Sequence, residues 1–329
     1  MKGSHAFRGV PTKLIVVSLV ILVLVVSAFI AINEWEKNKN HFSEQEANDP
    51  YLEYDGSTYT LRENVETFLV LGLDKFEGTA SADSYNNDMQ ADFLLLFVFD
   101  NDTKKCSAIH INRDTIADVN ILGVAGNKIA TVKKQIALAH TYGNGKDVSC
   151  RNTADAVSAL LGNVRINHYA SVTLDAVPVF NDLVGGVELE ILDDFTGIDD
   201  TLVKGTTVTL MGEQALRYVR SRSGLEDSTN STRMVRQRQY MNALYEKAIA
   251  KMTEDENFVV DASLKMSDYM VSDRSVTQLQ TLAEKFNEYE FEGIRAFEGE
   301  SKKGEQFVEF YPNEEHLMMT VIELFYKKK

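Results

Sequence analysis

The sequence predicts an α/β fold with a central mixed β-sheet, preceded by one N-terminal transmembrane helix. Three observations predict it. Short apolar runs ending at turn residues alternate along the chain with segments of helical spacing. A single long apolar run, Leu14 to Ile32, stands near the N-terminus. The 329 residues are 44% hydrophobic and 25% charged, ample for a packed core and unlike a disordered chain.

The run from Leu14 to Ile32 is broken only by Ser18 and Ser27. As a helix it spans about 28 Å, close to a bilayer core. Lys2, Arg8 and Lys13 precede it without an acid, whereas Glu34, Glu36, Lys37 and Lys39 nearly cancel after it. The positive-inside rule therefore places the N-terminus in the cytoplasm and the remainder outside the cell. The run exceeds the apolar core of about 7–15 residues of a cleaved signal, and no small-x-small cleavage site follows it. The expected organisation is a cytoplasmic 1–13, an anchor 14–32, a polar stalk 33–62, a main domain 63–260 and a C-terminal extension 261–329.

Thr67–Leu73 reads as a buried strand ending at Asp74. Asp92–Phe99 and Ser107–Ile111 read as two more, joined through the turn signal Asp100-Asn-Asp-Thr103. Helices are expected at Ile136–Tyr142 and at Asn152–Leu161, with Asn152 as the N-cap. Tyr169–Leu174 is a strand, about Asp175–Leu183 a helix stopped by Gly185-Gly186, and Val187–Ile191 a strand. A long helix begins near Asn230, with Met234, Met241, Leu244, Ala248 and Met252 on one core-facing stripe. Two further helices are expected near Ser275–Tyr289 and Asn313–Tyr326.

Charge narrows the chemistry. The chain holds 34 basic and 49 acidic residues, a net of −15, and the part from Asn33 onward reaches −18. Such a balance argues against nucleic-acid binding. Yet six of the 13 arginines fall between Arg217 and Arg238: Arg217, Arg220, Arg222, Arg233, Arg236 and Arg238. Arg220 and Arg222 share a side in an extended segment, and Arg233 and Gln237 share a helix face. Such planar forks suit phosphate oxygens, although solvated arginines paired with the abundant acids give the same pattern. Arg113, in Asn112-Arg-Asp-Thr115 after a strand, joins them or forms a structural turn. Asp74 and Asp92 would converge if their strands are neighbours, as a ligand pair for a hard divalent cation or as ordinary strand-end acids. The chain carries no H-E-x-x-H, G-x-S-x-G or Walker A pattern. Cys106 and Cys150 form either a disulfide or two buried thiols.

The segments Leu69-Val-Leu-Gly-Leu-Asp74, Ala91-Asp92, Ile111-Asn-Arg-Asp-Thr115 and Ala139-His-Thr-Tyr-Gly143 resemble the LytR-CpsA-Psr family of bacterial cell-envelope proteins. So do Asn181-Asp-Leu-Val-Gly-Gly-Val187, Gly212–Arg222 and Thr232–Gln239, in the family's order. The resemblance covers roughly residues 65–249. It implies an α-β-α sandwich and an enzyme, a Mg²⁺-dependent phosphotransferase. That enzyme moves a glycopolymer from an undecaprenyl-pyrophosphate carrier to peptidoglycan, or to another cell-wall acceptor, and leaves a phosphodiester. It implies Asp74 and Asp92 as Mg²⁺ ligands. Arg113, Arg220, Arg222, Arg233 and Gln237 are implied as the pyrophosphate set, and an apolar tunnel as the seat of the lipid tail. Gln90-Ala91-Asp92 departs from the family's usual Arg-Ser-Asp, and Gln90 supplies no charge. That departure gives weight to a non-catalytic reading, a lipid-pyrophosphate or glycopolymer binder that scaffolds or regulates wall assembly; a lipid pyrophosphatase is a third reading.

Overall fold

The computed structural model describes residues 51–75, 87–222, 225, 230–255, 258–275, 278, 289–305 and 307–329. The anchor 14–32, most of the stalk and most of the helix near Ser275–Tyr289 lie outside them. Among the described residues no helix is long and apolar enough to cross a membrane.

The strands are β1 (Tyr51–Tyr54), β2 (Ser57–Leu61), β3 (Val65–Lys75), β4 (Met89–Asp100), β5 (Lys105–Ile111), β6 (Ile116–Leu122) and β7 (Lys128–Gln135). They continue as β8 (His168–Thr173), β9 (Val187–Glu190), β10 (Thr207–Leu210), β11 (Met270–Ser272), β12 (Glu290–Ala296), β13 (Gly299–Lys303), β14 (Val308–Pro312) and β15 (Tyr326–Lys328). The α-helices are α1 (Asp147–Leu160), α2 (Ala176–Leu183), α3 (Glu213–Arg220), α4 (Asn230–Glu254), α5 (Phe258–Met266) and α6 (Glu314–Phe325).

Six strands form the central sheet in the order β11-β8-β3-β4-β5-β12. It is mixed: β3–β8 and β5–β12 are parallel, whereas β3–β4, β4–β5 and β8–β11 are antiparallel. β4 runs through the middle, so both its faces are covered and its sequence is continuously apolar. Leu95, Phe97 and Phe99 pack under α2, α3, α4 and α5, with Phe180, Tyr218, Tyr240, Leu244 and Phe258. Leu94, Leu96 and Val98 pack on the opposite face with Val157 of α1 and Val321, Leu324 and Phe325 of α6. The layers are helix, sheet, helix.

The sheet redraws two boundaries. The C-terminal extension contributes both edge strands, β11 and β12, and α6 to the same core. The last part of the stalk, β1 and β2, pairs with β15. Arg62 fastens that small sheet to β4 through Asp100 at 2.5 Å, and within it donates to the Tyr326 carbonyl of β15 at 2.8 Å.

Cys106 and Cys150 are free thiols, not a disulfide. Cys106 packs on the α4 face of the sheet and Cys150 on the α1 face, so the sheet stands between them. Burial pushes the Cys150 thiol up to about 12. Other expectations shift for local reasons. α1 starts at Asp147, five residues early, because Asn144 Oδ1 accepts the Lys146 and Val148 amides. Asn152 is therefore inside the helix, where its buried amide donates to the carbonyls of Ala139 and Asn120. Ile136–Thr141 is a 3₁₀ helix. On α4, Met234, Leu244 and Ala248 are buried and Met241 packs beside them, as the stripe predicts.

Gly186 closes the turn after α2 at φ +88°, and a Cβ there would lie 2.4 Å from Met211 Sδ and 2.8 Å from Thr209 Cγ2. Its neighbour Gly185 also has positive φ (+82°), but a Cβ there meets only Lys251, at 3.9 Å. Gly186→Ala is therefore expected to destabilise the protein by about 3–5 kcal/mol, strain and overpacking together. Gly185→Ala should cost only the strain, about 1–2 kcal/mol. Equal losses in urea denaturation would refute this account of the turn.

Candidate active site

The end of β3, the start of β4 and the end of β5 lie at one end of the sheet because the three strands are antiparallel neighbours. Asp74 faces Gln90 across the β3–β4 register. Gly72 pairs with Phe93 and Leu73 with Ala91, so Asp92 is the extra residue of a β-bulge. A Cβ on Gly72 would lie 2.9 Å from Phe93 Cβ, so the close approach at the bulge requires glycine. Asp92 meets Arg233 of α4, and Phe93 packs in the core under that helix.

Two arginines from separate elements hold this carboxylate. Arg113, two residues past β5, donates one nitrogen to Asp92 Oδ1 and Nη2 to Gln90 Oε1 at 3.1 Å. Arg233, in the first turn of α4, donates to Asp92 Oδ2 at 3.1 Å. Asn230 Oδ1 accepts from Arg233 Nε (3.0 Å) and Nη2 (2.6 Å), and its amide donates to Asn112 Oδ1 at 2.7 Å. All these groups are nearly buried: Asp92 is 6% exposed and Arg233 4%. Burial pulls Arg233 below the usual guanidinium range against the opposing pull of Asp92, and Arg113 and Arg222 add repulsion.

Two further pairs flank this centre. Arg220 grips both oxygens of Asp74, at 2.5 and 2.8 Å, on a more exposed rim. Arg222 stands 3.7 Å from Asp114 Oδ2, and Arg113 Nε lies 3.3 Å from Asp114 Oδ1. Burial raises the Asp114 carboxyl above the usual range despite those two arginines. Four guanidiniums thus face three carboxylates, a surplus of one positive charge within an acidic domain.

The sequence model of the LytR_cpsA_psr family matches residues 25–320. The chain belongs to this family. It is 30% identical over 178 residues to the cell wall biosynthesis protein LcpA of Corynebacterium glutamicum, covering 49% of this chain and 33% of LcpA. It is 28% identical over 225 residues to the polyisoprenyl-teichoic acid–peptidoglycan teichoic acid transferase TagU of Enterococcus faecalis, covering 67% and 66%. The chain therefore spans a third of the length of LcpA and just under two thirds of that of TagU. Among solved structures, B. subtilis TagV shares the fold at a TM-score of 0.56 and 22% identity, over 80% of this chain and 98% of TagV. TagT bound to LIIa-WTA does so at 0.57 and 20%, over 80% and 90%.

In this LytR_cpsA_psr protein, Asp74, Asp92, Arg113, Arg220, Arg222 and Arg233 do meet at one end of the sheet. Gln237 is different: its amide donates to the Val219 carbonyl at 3.2 Å, and its Oε1 is buried without a hydrogen-bond partner. Arg220 and Arg222 do not share an extended segment, because Arg220 is the last residue of α3 and Ser221 its C-cap. They consequently reach different acids. Gln90, where a charge was lacking, acts as an acceptor for Arg113. A cavity of about 280 Å³ is lined by Leu192, Asp193, Ser231, Thr232, Val235 and Arg236.

Asp74 and Asp92 suit a hard divalent cation in kind, being oxygen donors on adjoining strands near phosphate-seeking arginines. Among the described residues no three His, Cys, Asp or Glu side chains cluster for a metal, so such a cation would need oxygens from its ligand. Every oxygen of the two carboxylates now contacts a guanidinium. Those same forks are the groups a pyrophosphate would attract, which would release the carboxylates. Asn112, Asn230 and Asp114 were not predicted as site residues. Their signal was local: Asn112 and Asp114 flank Arg113, and Asn230 lies three residues before Arg233.

Proposed function

We propose that this protein is a phosphotransferase that moves a glycopolymer from an undecaprenyl-pyrophosphate carrier to peptidoglycan, leaving a phosphodiester. One observation carries the proposal: four arginines from three parts of the chain converge on Asp74, Asp92 and Asp114 at the end of the central sheet. The naming of TagU as a teichoic acid transferase and of LcpA as a cell wall biosynthesis protein supports it. The apolar run 14–32 and its flanking charges support a single membrane span with an external domain.

In this mechanism Arg113, Arg220, Arg222 and Arg233 turn from carboxylates to the pyrophosphate oxygens and hold the two phosphates. The acceptor hydroxyl oxygen bonds to the glycan-bearing phosphorus. The bond from that phosphorus to the bridging oxygen breaks, and polyprenyl phosphate leaves. The arginines neutralise the charge developing on that leaving group, and Asp74, the more accessible carboxylate, takes the hydroxyl proton. Asp74 and Asp92 would hold Mg²⁺, which when bound supplies positive charge to phosphate oxygens.

The test is the full chain in detergent with a lipid-pyrophosphate-linked glycan, peptidoglycan fragments and Mg²⁺. Glycan joined to the fragments through phosphate is the expected product, lost in the Arg222→Ala, Asp92→Ala double variant. Unchanged transfer by that variant overturns the assignment. Binding without turnover would leave a scaffold, and phosphate release without an acceptor would leave a pyrophosphatase.

A further inference from the structure

Among the described residues Arg236 is the largest fully buried side chain, 1% exposed. A buried guanidinium is costly unless it is paired and hydrogen-bonded. Here its Nε stands 2.8 Å from Asp193 Oδ2 as an ion pair without hydrogen-bond geometry, and its Nη1 donates to the Tyr218 carbonyl at 2.6 Å. Its Nη2 donates to the Ser221 carbonyl. The plane lies 5.2 Å from the ring centre of Phe195 and 5.8 Å from that of Tyr218. Beside it, Gln237 donates to the Val219 carbonyl at 3.2 Å.

These acceptors share one location. Tyr218, Val219 and Ser221 carry carbonyls at the C-terminal end of α3, where helical carbonyls lack partners along their own helix. A cation there also meets the negative end of the helix dipole. Two consecutive side chains of α4 therefore hold the end of α3. Ser221 stands between Arg220 and Arg222, so fixing its peptide fixes the directions in which those two leave the chain. Arg220 goes to Asp74 and Arg222 towards Asp114.

We propose that Arg236, anchored by Asp193 and seconded by Gln237, is a positioning residue that presents Arg220 and Arg222 to the pyrophosphate. The proposal rests on the reading of those two arginines as pyrophosphate ligands. Arg236 itself is sealed from the ligand by burial and acts through them. Asp193, just beyond β9, enters the same machinery although no motif marked it.

A lysine at position 236 keeps the charge for Asp193, but its ammonium cannot reproduce the planar fork that serves two carbonyls and a carboxylate together. The test uses the full chain in detergent and reads binding of geranylgeranyl pyrophosphate by calorimetry, beside thermal melting. Arg236→Lys is expected to weaken binding about 10-fold, on the order of one lost charge-assisted hydrogen bond. In an Arg220→Ala, Arg222→Ala background the same change should weaken binding less than about 2-fold, because Arg236 then has neither arginine to act through. The loss in melting temperature should be equal in both backgrounds.

Equal weakening in both backgrounds, or none in either, overturns the proposal. Asp193→Asn, which retains the guanidinium and its two carbonyl bonds, is the second variant should Arg236→Lys not fold. It is held to the same non-additivity criterion. A wild-type protein that binds the pyrophosphate but transfers nothing overturns the transferase reading and leaves the positioning role standing. One that binds no pyrophosphate overturns both.

Discussion

Asp92→Ala is expected to lower transfer by about 100-fold or more, the scale of one lost electrostatic group at a reacting centre. It should also lower stability by about 3–5 kcal/mol, the usual cost of removing one partner from a buried ion pair. Asp92 lies between Arg113 and Arg233, whose side chains are only 11% and 4% exposed. Without the carboxylate, two guanidiniums face each other with little water to screen them. At about 2–4 °C per kcal/mol for a domain of this size, the melting temperature should fall by about 6–20 °C. Added inorganic pyrophosphate should restore more of that loss than it adds to the wild type, since an anion replaces the missing charge. An Asp92→Ala protein that melts within a degree of the wild type would refute the reading of this pair as the electrostatic keystone.

Acid should unfold the protein well before its carboxylates titrate. Burial, with Arg238 and Arg233 nearby, holds His110 down to about 3. Burial also holds His140 down to about 4, against a hydrogen bond to the Met89 carbonyl that favours its proton. Both are neutral in the folded state, whereas an unfolded histidine takes a proton near 6.5. Their contribution is therefore complete above about pH 6.5 and is lost as pH falls towards 4. At pH 5 each has lost about 2 kcal/mol, together about 4 kcal/mol. His168 works in the opposite sense. Burial lowers it, but hydrogen bonds with Asp273 and Glu66 prevail and raise it, so its contribution is present below 6.5 and lost as pH rises through its folded value. The denaturation midpoint should therefore drop steeply between pH 6.5 and 5. The His110→Gln, His140→Gln double variant should show a clearly shallower drop, and a slope equal to that of the wild type would refute the assignment.

The parts legible in the sequence are those whose physics is local or doubly buried. β3, β4 and β5 are covered on both faces, so they appear as apolar runs with a turn between β4 and β5. α4 shows its helical stripe because one side meets the core. β7 and β13 escaped notice because nearly all their residues are exposed in two-stranded ribbons, and no face repeats. The bulge at Asp92 is invisible without its partner strand, since alternation within β4 alone does not reveal a register shift. Arg236 was visible as one of six clustered arginines, but its burial depends on Asp193 and Phe195, about 40 residues away in the chain.

By itself the sequence determined the α/β class, the gathering of positive charge in an acidic chain and the ordered motifs that belong to one family. These are properties of composition and of short windows. Tertiary structure alone decided which acid each arginine meets, that the two cysteines lie on opposite faces of the sheet, and that the C-terminal segment supplies both edge strands. The reason is physical. Pairing and burial depend on distances between residues remote in the chain, and only the assembled sheet with its two helical layers sets those distances.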